Sequence, residues 1–216
     1  ALQATENGKD PLLLILSADH IIKDVNEFLR VIEAGRIPAE KGRLVTFGTV
    51  PTAPETGYGY IEAIKPLNES TPEGLPIKKF IEKPNQSTAE SFLAAGCFAW
   101  NSGIFLFKAS TILKELETLA PQVLNCCRKA IEQNIPDLDF IRVEREAFAN
   151  CPNVAIDVAV MEKTKLGTVL PLEAGWSDIG SWSSLWEIAS KDSEGNFLRG
   201  NVIAEEIHNC YIRSEN

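Results

Sequence analysis

An open, largely parallel α/β sheet with helices on both faces is the fold class this sequence predicts. Two observations carry it. Apolar runs of strand length recur along the chain with segments of helical period between them, the pattern of βαβ units. Polar and glycine-rich clusters fall at the ends of those runs, where ligands bind in such sheets. A chain of 216 residues that is 44% hydrophobic is long enough for one sizeable core.

The elements follow in order. Residues 12–16, Leu-Leu-Leu-Ile-Leu, are continuously apolar and read as a buried parallel strand ending in Ser17-Ala18-Asp19-His20. Asp24 is placed to cap a helix carrying Phe28, Leu29 and Ile32 at helical spacing. Residues 44–47 read as a short strand cut off by Gly48, and residues 51–59 as a loop rich in Pro, Thr and Gly. Residues 60–64 alternate as a strand does. Residues 66–76 form a turn-rich connection, and residues 77–81 a strand ending at Glu82-Lys83-Pro84. A helix is expected over 87–95 and a strand over 104–107. Three short helices are expected between 110 and 149, broken at Pro121 and Pro136. Asp157 is placed to cap another helix through Thr164. A strand over 168–172, a loop over 175–180 and a helix over 181–189 follow. Beyond Gly195 the pattern changes to short strands at 201–204 and 209–213. The expected division is therefore an α/β unit over 1–199 and the start of a β-rich unit over 200–216.

Composition narrows the function classes. A net charge of -9 leaves no excess of Lys and Arg to neutralise a nucleic acid backbone or an anionic membrane, so neither is an expected partner. No apolar run reaches the length of a membrane span, and no secretory signal opens the chain. The five cysteines lack C-x-x-C spacing and the two histidines are far apart, which gives no support to a zinc site. Reduced thiols in a cytoplasmic protein are the expectation. The first residue is not Met, and the chain opens in the composition of a helix interior, so a truncated N-terminus is expected.

Five places have residues suited to chemistry, each with a plain structural alternative. Asp19 ends an apolar strand and suits Mg²⁺, which takes one or two carboxylates together with substrate phosphates; it is equally an ordinary turn Asp. Gly57-Tyr58-Gly59-Tyr60 lets the backbone approach a ligand and offers rings to a sugar face, or is a hairpin turn packed on the core. Glu82 could accept sugar hydroxyls while Lys83, held extended by Pro84, pairs with a phosphate; the alternative is a solvent-facing ion pair. Asn101 can donate and accept toward a sugar hydroxyl. Asp178, between glycines, is a second candidate metal ligand or the cap of the helix near Ser181.

In this order the segments resemble the mannose-1-phosphate guanylyltransferase family (GDP-mannose pyrophosphorylases), the bacterial branch often fused to a phosphomannose isomerase. The stretches that carry the resemblance are Leu-Ser-Ala-Asp-His-Ile (16–21), Phe-Gly-Thr-Val-Pro (47–51), Pro-Glu-Thr-Gly-Tyr-Gly-Tyr-Ile (54–61), Phe-Ile-Glu-Lys-Pro (80–84), Trp-Asn-Ser-Gly-Ile-Phe (100–105) and Gly-Trp-Ser-Asp-Ile-Gly-Ser-Trp (175–182). Ile156-Asp157 and Val-Met-Glu-Lys-Thr (160–164) complete it. The resemblance implies a Rossmann-like nucleotidyltransferase sheet and Mg²⁺-dependent transfer from GTP to mannose 1-phosphate, giving GDP-mannose and pyrophosphate. It also implies that Asp19 and Asp178 hold Mg²⁺, that Lys83 meets the sugar phosphate, and that Glu82, Asn101 and the Gly57, Tyr58, Gly59 loop hold the sugar. The oligomeric state is left open, a homo-oligomer included.

The chain departs from the family pattern at two places. Where the family commonly has Ser-Ile-Asp-Tyr, this chain has Ala155-Ile156-Asp157-Val158. No G-x-G-x-R nucleotide loop is present, so the chain by itself is expected not to catalyse transfer. Two alternatives remain: a transferase for another hexose 1-phosphate or nucleotide, and a non-catalytic sugar-phosphate-binding or regulatory module.

Overall fold

The computed structural model describes residues 1–67, 74–132, 135–137 and 140–215. Its elements in chain order are β1 (Leu12–Ile15), β2 (Ile21–Ile22), α1 (Val25–Glu40), β3 (Leu44–Thr49), β4 (Tyr60–Ala63), β5 (Leu75–Ile81), α2 (Gln86–Ala95), β6 (Phe98–Lys108), α3 (Ala109–Leu119) and α4 (Pro121–Glu132). They continue with β7 (Ile135–Asp137), β8 (Phe140–Arg142), α5 (Arg145–Ala149), β9 (Gly167–Pro171), β10 (Trp176–Ser177), α6 (Trp182–Ile188), β11 (Phe197–Arg199) and β12 (Tyr211–Arg213).

Period-two alternation along the apolar strands divides their side chains between two cores. In β6, Phe105 and Phe107 join a core with Leu44, Val169, Ile112, Val160 and Met161. Ile104 and Leu106 join the opposite core with Val45, Phe47, Leu170 and Val31. Helix α1, capped by the Asp24 carboxylate on the Glu27 N–H at 2.9 Å, covers the second core. Helix α3 and a π-helical turn at Asp157–Met161 cover the first. Helices on both faces are therefore present, as expected.

The open, mostly parallel sheet is not. The order is β1-β6-β3-β9-β5-β4, and β4 pairs again with β6, so five strands close on themselves with β1 at the edge. Only β3 and β9 run parallel in this sheet; every other pairing is antiparallel. The physical reason is the length of β6. Its first half pairs with β4 and the end of β3, its second half with the start of β3 and with β1, and a bulge against β3 separates the two halves. Between Phe105 and Asn101 the register skips three residues of β6 against one of β3, and Gly103 takes the positive φ of 69° that this bend requires. The strand expected over 104–107 is thus the second half of one bent strand that begins at Phe98.

Other elements differ in detail. β3 runs through Gly48 to Thr49 instead of stopping there. β1 is antiparallel and at the edge, with Ile15 44% and Leu16 52% exposed, rather than a buried parallel strand. The expected break at Pro136 falls in the hairpin β7–β8, which replaces the middle of the helical stretch. The expected connection over 66–76 lies partly outside the described residues. Residues 201–204 form no strand, and Ile203 is 96% exposed. Instead β11 pairs in parallel with β12 in a sheet of its own. Among the described residues no helix is long and apolar enough to cross a membrane.

Gly48 sits where β3 is pressed from both sides. A Cβ built there would lie 2.9 Å from Ala99 Cβ and 3.0 Å from Val169 Cγ2. Gly48→Ala is expected to destabilise the chain by about 1–3 kcal/mol, as overpacking does; urea unfolding measures it, and an unchanged midpoint would mean the strands yield freely.

Candidate active site

The bend in β6 puts Asn101 at the centre of a hydrogen-bonded chain. Thr46, fully buried on β3, shares its hydroxyl proton between Asn101 Oδ1 at 2.7 Å and the Ile104 carbonyl at 3.0 Å. Asn101 Nδ2 donates to Asp157 Oδ1 at 3.0 Å, and the Asn101 backbone N–H donates to the Gly59 carbonyl at 2.8 Å. The expected capping role of Asp157 is absent: its turn has no side-chain cap, and its carboxylate turns inward to Asn101. Its main-chain carbonyl accepts from the Glu162 N–H at 2.9 Å, the i to i+5 bond that makes the turn π-helical.

Glu82 arrives beside this chain from the end of β5. A Cβ at Gly59 would lie 2.6 Å from Glu82 Oε2 and 3.4 Å from Asn101 Cβ, so glycine at 59 is what admits the carboxylate. By contrast the Cβ position of Gly57 meets open space. Burial pushes the Glu82 carboxyl above its ordinary range; the Asp157 charge adds to that, and Lys83 offsets part of it. Burial likewise pushes Asp157 up, against the pull of hydrogen bonds from its own backbone and Asn101. Glu162 closes the group by accepting the Glu82 backbone N–H at 3.0 Å. Lys83 Nζ stands 3.7 Å from Glu82 Oε1, with a side chain 65% exposed.

Lys83 is not extended, as the proline after it predicts, but has a positive φ of 44°. Pro84 disfavours the right-handed helical region for its predecessor, and the chain reverses through the left-handed one instead. That conformation costs on the order of 1–3 kcal/mol. It turns the chain just past the end of β5, so that Lys83 Nζ comes back within 3.7 Å of its neighbour Glu82.

A second group forms where β2 and β10 pair antiparallel, with Ser177 opposite Ile21 and Trp176 opposite Ile22. Continuing that register would set Asp178 across from His20, one residue from Asp19. The Tyr58 hydroxyl donates to Asp178 Oδ1 at 2.9 Å, and the Gly180 N–H donates to the same oxygen at 3.1 Å. Burial, and then the bond to Asp178, pushes the Tyr58 phenol upward, so it remains a proton donor at neutral pH. Its ring lies edge-on to Trp100 and Trp176 at 5.1 and 5.4 Å, and Trp176 Nε1 donates to His20 Nδ1 at 3.1 Å. Tyr58 therefore braces Asp178. The cap of α6 is Ser181, whose hydroxyl accepts the Ser184 N–H at 3.0 Å, and not Asp178. Ile179, directly after Asp178, has a positive φ of 49°, a strained value for a β-branched residue.

Asp19 is exposed and Asp178 keeps Oδ2 clear of hydrogen bonds among the described residues. Each is a hard oxygen donor of the kind Mg²⁺ takes, although the ladder sets His20 rather than Asp19 opposite Asp178. No group of three His, Cys, Asp or Glu arranged for a metal occurs among the described residues. A cleft of about 380 Å³, lined by Tyr58, Trp100, Trp176, Ser177, Ser184 and Glu187, opens on the Trp100 side of β6. Asn101 points the other way, because side chains alternate along a strand.

Sequence reasoning brought out Asn101, Glu82 and Lys83 but missed Thr46 and Glu162 and misassigned Asp157. The available signal was Thr46, a polar residue inside the otherwise apolar run Leu-Val-Thr-Phe (44–47).

The sheet is mixed, has helices on both faces, and gathers carboxylates, an amide and a lysine beside the bend in β6. The chain belongs to the nucleotidyl transferase family, whose model matches residues 1–195. It is 50% identical over 210 residues to a mannose-1-phosphate guanylyltransferase of Salmonella montevideo, covering 96% of this chain and 44% of that protein. It is 47% identical over 211 residues to the xanthan biosynthesis protein XanB of Xanthomonas campestris, covering 98% of this chain and 44% of that one. Among solved structures it resembles a mannose-1-phosphate geranyltransferase of Thermus thermophilus, with a TM-score of 0.81 and 27% identity over 98% of this chain and 60% of that chain. The chain thus spans less than half the length of these curated relatives.

The raised carboxyls give the site a pH signature. Glu82 and Asp157 hold protons to higher pH in the folded chain than in the unfolded one, so folding takes protons up. Their stabilising contribution is complete below about pH 4, the ordinary carboxylate range, and is lost as pH rises through the folded values. Glu82→Gln is therefore expected to raise the melting temperature at pH 7 and to leave it nearly unchanged at pH 4. An equal rise at both pH values would mean that the carboxylate carries no such penalty.

Proposed function

We propose that these residues form the sugar-phosphate half of a Mg²⁺-dependent mannose-1-phosphate guanylyltransferase, a protein that transfers GMP from GTP to mannose 1-phosphate. What carries the reading is the meeting of Glu82, Lys83 and Asn101 at one point, in a chain whose relatives are named for that sugar phosphate. A phosphate oxygen of mannose 1-phosphate attacks the α-phosphorus of GTP in line; the new O–P bond forms as the bond to the β-phosphate oxygen breaks and pyrophosphate leaves. No covalent nucleophile on the protein is needed, so positioning and charge neutralisation supply the acceleration.

The chain's own groups divide that work. The Lys83 ammonium neutralises the sugar phosphate, and Glu82 accepts hydrogen bonds from sugar hydroxyls. Asn101 has one Nδ2 proton on Asp157, which leaves the second for the ligand. Tyr58, by holding Asp178 Oδ1, orients the carboxylate. Mg²⁺ bound by Asp19 and Asp178 would supply neutralisation of the phosphates. The chain contains no G-x-G-x-R loop to grip a triphosphate, so by itself it is expected to hold the sugar phosphate weakly and release no pyrophosphate from GTP.

In a polypeptide that combines these residues with a glycine-rich nucleotide loop, Lys83→Ala should raise KM for mannose 1-phosphate far more than KM for GTP. Because Lys83 is 65% exposed, solvent screens its charge; a loss of about 2 kcal/mol, roughly thirtyfold in KM, is expected. Pyrophosphate release measures it. Equal rises for both substrates would make Lys83 structural, and faster turnover of another sugar phosphate or nucleotide would reassign the substrate.

A further inference from the structure

Away from this site, three thiols from two elements meet. Cys126 and Cys127 are neighbours on α4, and Cys151 follows α5. Cys126 Sγ approaches the Asn150 carbonyl at 3.7 Å, and Cys151 Sγ approaches the Val123 carbonyl at 4.0 Å. Val123, Cys126 and Cys127 stand at i, i+3 and i+4, so they share one face of α4, and Cys151 lies on that face. All three cysteines are free and partly exposed, within reach of a small oxidant. Burial pushes the Cys151 thiol up, and the neighbouring Cys127 and Cys126 push it further. No three-ligand metal group exists among the described residues, so these thiols do not form a metal cage.

We infer that Cys126, Cys127 and Cys151 are an oxidation site at which hydrogen peroxide joins Cys151 to α4 by a disulfide. A thiolate at Cys126 or Cys127 attacks one peroxide oxygen. The O–O bond breaks, hydroxide leaves and takes up a proton as water, and a sulfenic acid remains on α4. The Cys151 sulfur then attacks the sulfenic sulfur. The S–S bond forms, the S–O bond breaks, and the departing hydroxide takes the Cys151 proton as a second water. Peroxide is reduced by two electrons, one drawn from each sulfur. Cys126 and Cys127 do not close on each other, because side chains at i and i+1 of a helix do not face one another. The bond would fasten to α4 the segment that reaches Asp157, the partner of Asn101, six residues beyond Cys151.

Treating the 216-residue chain with hydrogen peroxide, quenching, denaturing and alkylating tests this without reference to catalysis. Free thiols should fall from five to three, and peptide mapping should find Cys151 joined to Cys126 or Cys127. Cys97→Ser and Cys210→Ser should each still lose two thiols, whereas Cys151→Ser should form no disulfide. Should Cys151→Ser fail to fold, the double variant Cys126→Ser/Cys127→Ser gives the same reading by leaving Cys151 free. Recovery of Cys151 fully alkylated after oxidation, or its pairing with Cys97 or Cys210, overturns the inference.

Discussion

The rest of the site depends on one buried amide. Asn101 takes a proton from Thr46 on one side and gives one to Asp157 on the other, while its backbone N–H holds the carbonyl of Gly59. Those three bonds tie β3, the π-helical turn and the loop before β4 to the single bent strand β6. A buried polar group is costly when unpaired and directional when paired. The chain therefore has strong reason to keep these segments in one arrangement. Glu82 enters only because Gly59, fixed by that amide, lacks a side chain.

The same arrangement works against stability. Two carboxyls are driven upward by burial, with Glu162 nearby and, among the described residues, the exposed Lys83 to answer them. The residues that follow Glu82 and Asp178, Lys83 and Ile179, both have positive φ. Backbone strain and uncompensated like charge are features that gather at functional sites. Neither feature serves folding, which the apolar clusters accomplish.

How far the sequence was legible follows from which forces are local. The apolar runs, the Asp24 cap and the punctuation by Gly and Pro are local, and most of the strands and helices they predict are present with shifted ends, the strand over 201–204 and the middle of the helical stretch over 110–149 excepted. Closure of the sheet is not local. The strand expected over 104–107 leaves out 98–103, where Asn, Ser and Gly interrupt the apolar run, and the pairing of β6 with both β4 and β3 shows that they belong to it. Parallel pairing was inferred from continuous apolarity, yet a strand buried on both faces is apolar whichever way its neighbours run. Asp157 looked like a cap because Asp before a helix usually is one; its inward turn rests on Asn101, 56 positions away. Glu82, Lys83 and Asn101 were legible as residue types, and their meeting point was not.

On the proposed function, mannose 1-phosphate is received at Asn101 and not in the neighbouring aromatic cleft. NMR spectra of the labelled chain, recorded as mannose 1-phosphate is added, test this. Saturable shifts of the Asn101 side-chain amide and the Gly59 backbone amide are expected, with Ser184 and Glu187 unmoved. Shifts confined to Ser184, Glu187 and the Trp100 indole, with Asn101 unchanged, would move the sugar site to the cleft and contradict it.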